Sequence, residues 1–85
     1  MTGVPPEDPL DYIDIDDALE HGDPGKWTFR GAKPGSPMPA TSPNAPLGTM
    51  RHYDIYTDEF GEDIEVHYFR HADGSVADVK VKARS

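Results

Sequence analysis

The chain has no cysteine among its 85 residues, so neither a disulfide nor a thiolate metal site can brace so small a fold. It has no apolar run approaching the length of a membrane span and no basic-then-apolar leader pattern. The expectation is a chain without membrane contact or export signal of its own, acting in the cytoplasm. Gly-rich phosphate loops, Ser nucleophile elbows and Cys–His pairs are also missing, which removes the commonest signatures of phosphoryl and acyl transfer. Lys and Arg are absent from residues 1–24. That stretch holds eight acids (Glu7, Asp8, Asp11, Asp14, Asp16, Asp17, Glu20 and Asp23), and residues 25–85 balance the other eight acids against all eight Lys and Arg. The net charge of −8 therefore belongs to the N-terminal segment alone, and a low pI does not exclude an anionic ligand for the body.

What the chain does have is a run of strand patterns in its last third. Residues 50–57, 64–71 and 76–83 are rich in β-branched and aromatic residues and alternate with period two. Phe60-Gly61 and Asp73-Gly74 separate them as hairpin turns. Two-residue turns at both places pair Asp54 with His67, Tyr53 with Tyr68, His67 with Lys80 and Glu65 with Lys82. One face then carries Tyr53, Ile55, Ile64, Val66, Tyr68, Ala77, Val79 and Val81. The other carries His52, Asp54, Tyr56, Glu65, His67, Phe69, His71, Asp78, Lys80 and Lys82. A three-residue first loop with a Gly bulge would slip the register by one and turn Tyr53 and Ile55 to the polar face. The first register is expected because it makes one face apolar apart from its ends.

Upstream, Met1 to Pro9 reads as an extended or frayed start. Asp14 to His21 reads as a short helix, with Asp14 as N-cap, acids in the first turn and Gly22 at C′. Ile15, Ala18 and Leu19 would form its apolar stripe; a strand is the alternative, since Ile13 and Ile15 alternate with acids. Residues 26–30 are a fourth-strand candidate, with Trp27 and Phe29 on one face. Residues 31–48 hold five prolines and form a long loop. The expected class is α+β, one small domain of about 60 residues (25–85) behind an acidic segment (1–24): a short helix and a twisted antiparallel sheet built on a three-strand meander.

The polar face carries the candidate chemistry. A row of Asp54, His67 and Lys80 sets a carboxylate, an imidazole and an ammonium side by side, with Glu65, Lys82 and His52 in flanking rows. Cleavage of RNA through its 2′-hydroxyl needs a base, an acid and a cation near the phosphate on a rigid support. The candidate catalytic residues are His67, Asp54, Lys80, Glu65 and His52. The candidate substrate-binding residues are Lys82 for phosphate and Phe69 and Tyr56 for base stacking, with Trp27 a further stacking candidate. Opposite charges on a solvated sheet face are also ordinary, each pair contributing roughly 0–1 kcal/mol. A metal held by His52, Asp54 and His67 is a minor reading. No cofactor is expected.

The stretch from Phe60 to Gly74, Phe-Gly-Glu-Asp-Ile-Glu-Val-His-Tyr-Phe-Arg-His-Ala-Asp-Gly, followed by Val79-Lys80-Val81-Lys82, resembles the terminal hairpin of small bacterial ribonuclease toxin domains of colicin and polymorphic-toxin type. That resemblance implies a sheet whose open face cuts tRNA or rRNA, with Glu65 at the position of a catalytic Glu and an immunity protein as partner. Phe60 stands where such domains have a His, and they are usually basic. If the chain is such a domain, the acidic segment is expected to shield the basic groups. The alternative is a non-enzymatic acidic inhibitor, immunity-like protein or adaptor that binds a basic protein partner.

Overall fold

The computed structural model describes residues 6–84; the expected extended start at residues 1–5 lies outside them. The sheet is open and antiparallel, with strands β1 (Thr28–Ala32), β2 (Met38–Pro39), β3 (Met50–Thr57), β4 (Asp63–Arg70) and β5 (Val76–Ala83). The order is β1-β3-β4-β5, and β2 pairs with β3 beyond β1. One α-helix, α1 (Ile15–His21), precedes the sheet. The α+β class is therefore present, and no helix among the described residues is long and apolar enough to cross a membrane.

α1 forms where its caps predict. The Asp14 carboxylate accepts from the Asp16 amide, and the Gly22 amide donates to the Ala18 carbonyl at 2.8 Å with Gly22 at φ +83°. The strand alternative does not occur. The expected apolar stripe is another matter: Ile15 and Leu19 are 71% and 76% exposed, and the residue α1 buries is His21. Residues 7–12 are tied down rather than frayed. The Glu7 amide donates to the Gly74 carbonyl, its carboxylate accepts from the Val76 amide, and Pro9–Tyr12 form a 3₁₀ turn capped by Asp8.

The central correction is the register of β3 on β4. Asp54 pairs with Val66, Tyr53 with His67, Ile55 with Glu65 and His52 with Tyr68. The first loop has three residues, Glu59 to Gly61, closed by an Asp58 amide bond to the Glu62 carbonyl at 2.8 Å. Gly61 takes φ +85° there, a left-handed conformation that glycine adopts without a Cβ penalty. The Asp58 carboxylate organises the loop by accepting from the amides of Phe60 and Glu62, both at 2.8 Å. Once an aspartate can satisfy two loop amides, the longer loop is preferred, and every side chain of β3 changes face relative to the two-residue expectation.

The second hairpin departs from expectation in a compensated way. Its loop also has three residues, since the His71 amide donates to the Ser75 carbonyl. That places Phe69 opposite Ala77 and Arg70 opposite Val76. A bulge then restores the expected pairs His67–Lys80, Val66–Val81 and Glu65–Lys82. Asp78 lies within it at φ +53°, the one non-glycine positive φ among the described residues.

The buried face is Trp27, Tyr56, Ile64, Val66 and Tyr68, with Leu10, Ile13, Val76, Val79 and Val81 packed against them. Asp54 belongs to this face. It is buried and accepts from the Tyr68 hydroxyl at 2.7 Å, while the His52 ring stacks on Tyr68 at 4.8 Å. Burial and the adjacent Asp54 push the Tyr68 hydroxyl well above the tyrosine range, so it stays a donor. Burial first, then Asp54, pushes Tyr56 up to about 12. Tyr68→Phe would leave the Asp54 carboxylate without that donor, and we expect a loss of about 2 kcal/mol in urea unfolding.

Candidate active site

The face opposite the core carries Arg51, Tyr53, Ile55, Glu65, His67, Phe69, Lys80 and Lys82. Of the residues singled out in the sequence, the fold therefore gathers Glu65, His67, Lys80, Lys82 and Phe69 on one side. It places Asp54, His52 and Tyr56 on the other, against the hydrophobic core. Trp27 is also buried, its indole donating to the His21 carbonyl at 3.0 Å. Asp54 and His52 are thus removed as partners of His67, and Tyr56 and Trp27 as stacking platforms. The trio His52, Asp54 and His67 cannot share an ion, because His67 sits across the sheet from the other two.

Glu65 takes the place that Asp54 was expected to fill. It is buried, and His67 Nε2 lies 2.8 Å from its Oε1. Its Oε2 lies 3.0 Å from Arg84 Nε and 3.6 Å from Lys33 Nζ. The His67 hydrogen bond is the main cause that holds the Glu65 carboxyl below its usual range; burial opposes it, and Lys33 and Arg84 add to it. Glu65 is therefore an ionised acceptor to which His67 donates from Nε2, and Nδ1 is the ring nitrogen left over, a lone-pair acceptor whenever the imidazole is neutral. Lys82 pairs with Glu65 in register but is exposed, and Lys33 and Arg84 contact the carboxylate instead.

Around this pair lie residues the sequence reading did not single out. Tyr53 faces His67 with ring centroids 4.2 Å apart, as the slipped register requires. The Arg51 guanidinium lies 5.6 Å from the Tyr53 ring centroid, and its buried Nε has no hydrogen-bond partner. Arg51, Tyr53, His67, Phe69, Asp78 and Lys80 line a groove of about 170 Å³. Next to it the Pro-rich loop folds beside Phe69 and closes a second hollow of about 270 Å³. Lys33 and Arg84 lie far from β4 in sequence and had no periodic signal to mark them. Arg51 and Tyr53 were hidden by the register alone.

Charge is divided between the two sides. Lys33, Arg51, Lys80, Lys82 and Arg84 gather near Glu65 and His67, whereas the acidic segment, through Leu10 and Ile13, lies against the core face. It does not cover these five basic groups, so the shielding expectation fails for them. Removing residues 1–24 would strip part of the core rather than unmask a site.

A second polar cluster joins α1 to the first hairpin. His21 Nδ1 lies 2.9 Å from Asp58 Oδ2, and ligand atoms of His21, Asp58 and Glu62 all lie within 4.8 Å of one another. Burial would raise the Asp58 carboxyl, but the Glu62 amide, His21 and the Phe60 amide hold it below its usual range. Asp58 Oδ1 already accepts two amides and Oδ2 faces His21, which makes this cluster a clamp between helix and turn. Its sequence signal was Asp58 three residues before Gly61, the pattern of an aspartate-closed turn.

No protein-family model matches the chain, and neither a curated protein nor a solved structure matches it.

Proposed function

We propose that the chain is a toxin-like domain that cleaves single-stranded RNA by metal-independent acid–base chemistry on the open sheet face. The observation that carries this reading is the Glu65–His67 pair at 2.8 Å, set among Lys33, Arg51, Lys80 and Arg84. His67 Nδ1 takes the proton of a 2′-hydroxyl while Glu65 holds the ring and offsets the charge that develops on it. The 2′-oxygen forms a bond to the adjacent phosphorus, the bond to the 5′-oxygen breaks, and that oxygen receives a proton from water or from the Lys80 ammonium. Arg51 and Lys80 stabilise the charge on the phosphoryl oxygens. The products would be a cyclic 2′,3′-phosphate and a free 5′-hydroxyl. An immunity protein would be the partner that blocks this face.

The test is incubation of the purified chain with a single-stranded RNA in excess EDTA. Fragments ending in cyclic phosphate, formed at an unchanged rate when metal is stripped, are expected. Intact RNA, or cleavage that EDTA abolishes, overturns the reading.

A second reading, an acidic inhibitor or adaptor for a basic protein partner, draws on α1. Ile15 and Leu19 lie one turn apart and exposed, with Asp14, Asp16, Asp17 and Glu20 around them.

A further inference from the structure

We propose that the hollow between the β4–β5 hairpin and the Pro-rich loop is a binding subsite for one guanine base, read by the Asp78 carboxylate and stacked on Phe69. Its role in substrate choice rests on the RNA-cleaving reading above; its binding chemistry does not.

The hollow is lined by Ser42, Asn44, Thr49, Phe69, His71 and Asp78 among others, and it shares Phe69 and Asp78 with the groove beside His67 and Lys80. Its volume of about 270 Å³ lies just below the roughly 300–1,000 Å³ of sites for drug-sized ligands and suits a single ring system. Phe69 is a half-buried aromatic that lines both hollows, a residue type that stacks unpaired bases. The loop wall is fixed. Thr49 Oγ donates its only hydrogen to the Pro46 carbonyl at 2.7 Å, so His71 Nδ1, 2.9 Å away, must donate to Thr49.

Asp78 is the unusual member. It is exposed, lies in the bulge of β5 and holds a left-handed φ of +53°. The sheet does not need it. Without Asp78 the strand would read Val76, Ala77, Val79, Lys80, Val81, Lys82 in strict alternation, Tyr68 would meet Val79, and the pairs on both sides of the bulge would be kept. An extra residue held in an unfavourable conformation, with no return in strand pairing, serves to aim its side chain, as bulges beside active sites do.

The side chain selects the base. An ionised carboxylate accepts through two oxygens and donates nothing. Among the four RNA bases only guanine presents two adjacent N–H donors, N1–H and N2–H, on its pairing edge. Ser42 and Asn44 supply donors suited to its O6.

The experiment is calorimetric binding of the four nucleoside 3′-monophosphates to the full chain, with Asp78→Asn and Phe69→Ala, each in the parent and His67→Ala backgrounds. Guanosine 3′-monophosphate is expected to bind about tenfold or more tightly than the other three, as for other bidentate base contacts. Asp78→Asn should bring it within about twofold of them, since Asn tolerates a positive φ and keeps the bulge while one acceptor is lost. Phe69→Ala should weaken all four. Equal affinity for the four bases, no binding, or a guanine preference that survives Asp78→Asn overturns the subsite. A chain that binds guanosine as expected yet leaves RNA intact overturns only the cleavage reading. Cleavage without base preference, together with equal affinities, overturns only the subsite.

Discussion

His67→Ala is expected to slow RNA cleavage by about 10²–10⁴-fold, the range ascribed to a single positioned acid–base group. Stability should change little by comparison, because the His67 ring is partly exposed and packs on Tyr53 on the open side of the sheet. Glu65→Gln probes the same pair from below. It keeps the shape but removes the charge that Lys33 and Arg84 contact, so the imidazole loses its oriented partner and the rate falls by a smaller factor. His52→Gln is the control on the far side of the sheet: it alters the stack on Tyr68 and acts through stability alone. Rates measured per folded molecule, with folded fractions taken from urea curves, separate these outcomes. A His67→Ala chain that cleaves at the parental rate removes the mechanism.

Asp58→Ala is expected to destabilise the fold by about 3–4 kcal/mol. Asp58 is buried and serves three donors at once, the amides of Phe60 and Glu62 and the ring of His21. Truncation leaves the buried His21 nitrogen and two loop amides without their acceptor, and the loss of one partner from a buried polar network typically costs about 3–5 kcal/mol. The consequence spreads to α1, whose buried contact is His21, and to Trp27, which donates to the His21 carbonyl. The urea midpoint should drop, and near-UV circular dichroism from Trp27 should weaken before the sheet signal does. Acid should mimic part of this change. The folded chain holds both Asp58 and Glu65 below the ordinary carboxylate range, so it binds protons less tightly than the unfolded chain. Their contribution is complete above the unfolded values near 4 and is lost as pH falls through the lowered folded ones. Asp58→Asn and Glu65→Gln should each flatten that acid limb. An unchanged midpoint for Asp58→Ala would show that the clamp contributes nothing.

Much of the fold was legible because strand period and cap chemistry are local properties. The apolar residues Ile64, Val66 and Tyr68 of β4 and Val79 and Val81 of β5 recur with period two, and Asp14 with Gly22 bounds α1. What failed was the one quantity that local pattern leaves undetermined, the number of residues in the first loop. Tyr53-Asp54-Ile55-Tyr56 can bury either its odd or its even members, since tyrosines stand in both sets and Asp54 is satisfied by Tyr68 when it goes inward. An apolar-face criterion chose Ile55; the Asp58 turn chose Tyr56. Glu65, His67, Lys80 and Lys82 stay on one face because β4–β5 kept the expected pairing beyond the bulge, and Phe69 joins them as the next residue but one after His67 on β4, whereas Lys33 and Arg84 arrive from outside the meander and no pairing rule could place them.

Lys33, Arg51, Lys80, Lys82 and Arg84 on one side of the sheet and the acidic segment on the other give the molecule a permanent electric dipole. A polyanion at long range meets a body of its own sign and is repelled, but the repulsion is the far-reaching part and is damped first by salt, within about 10 Å at 0.1 M. At close range the near pole decides, so an approaching polyanion would meet the cationic side first. Orientation, not total charge, then sets which encounters are productive.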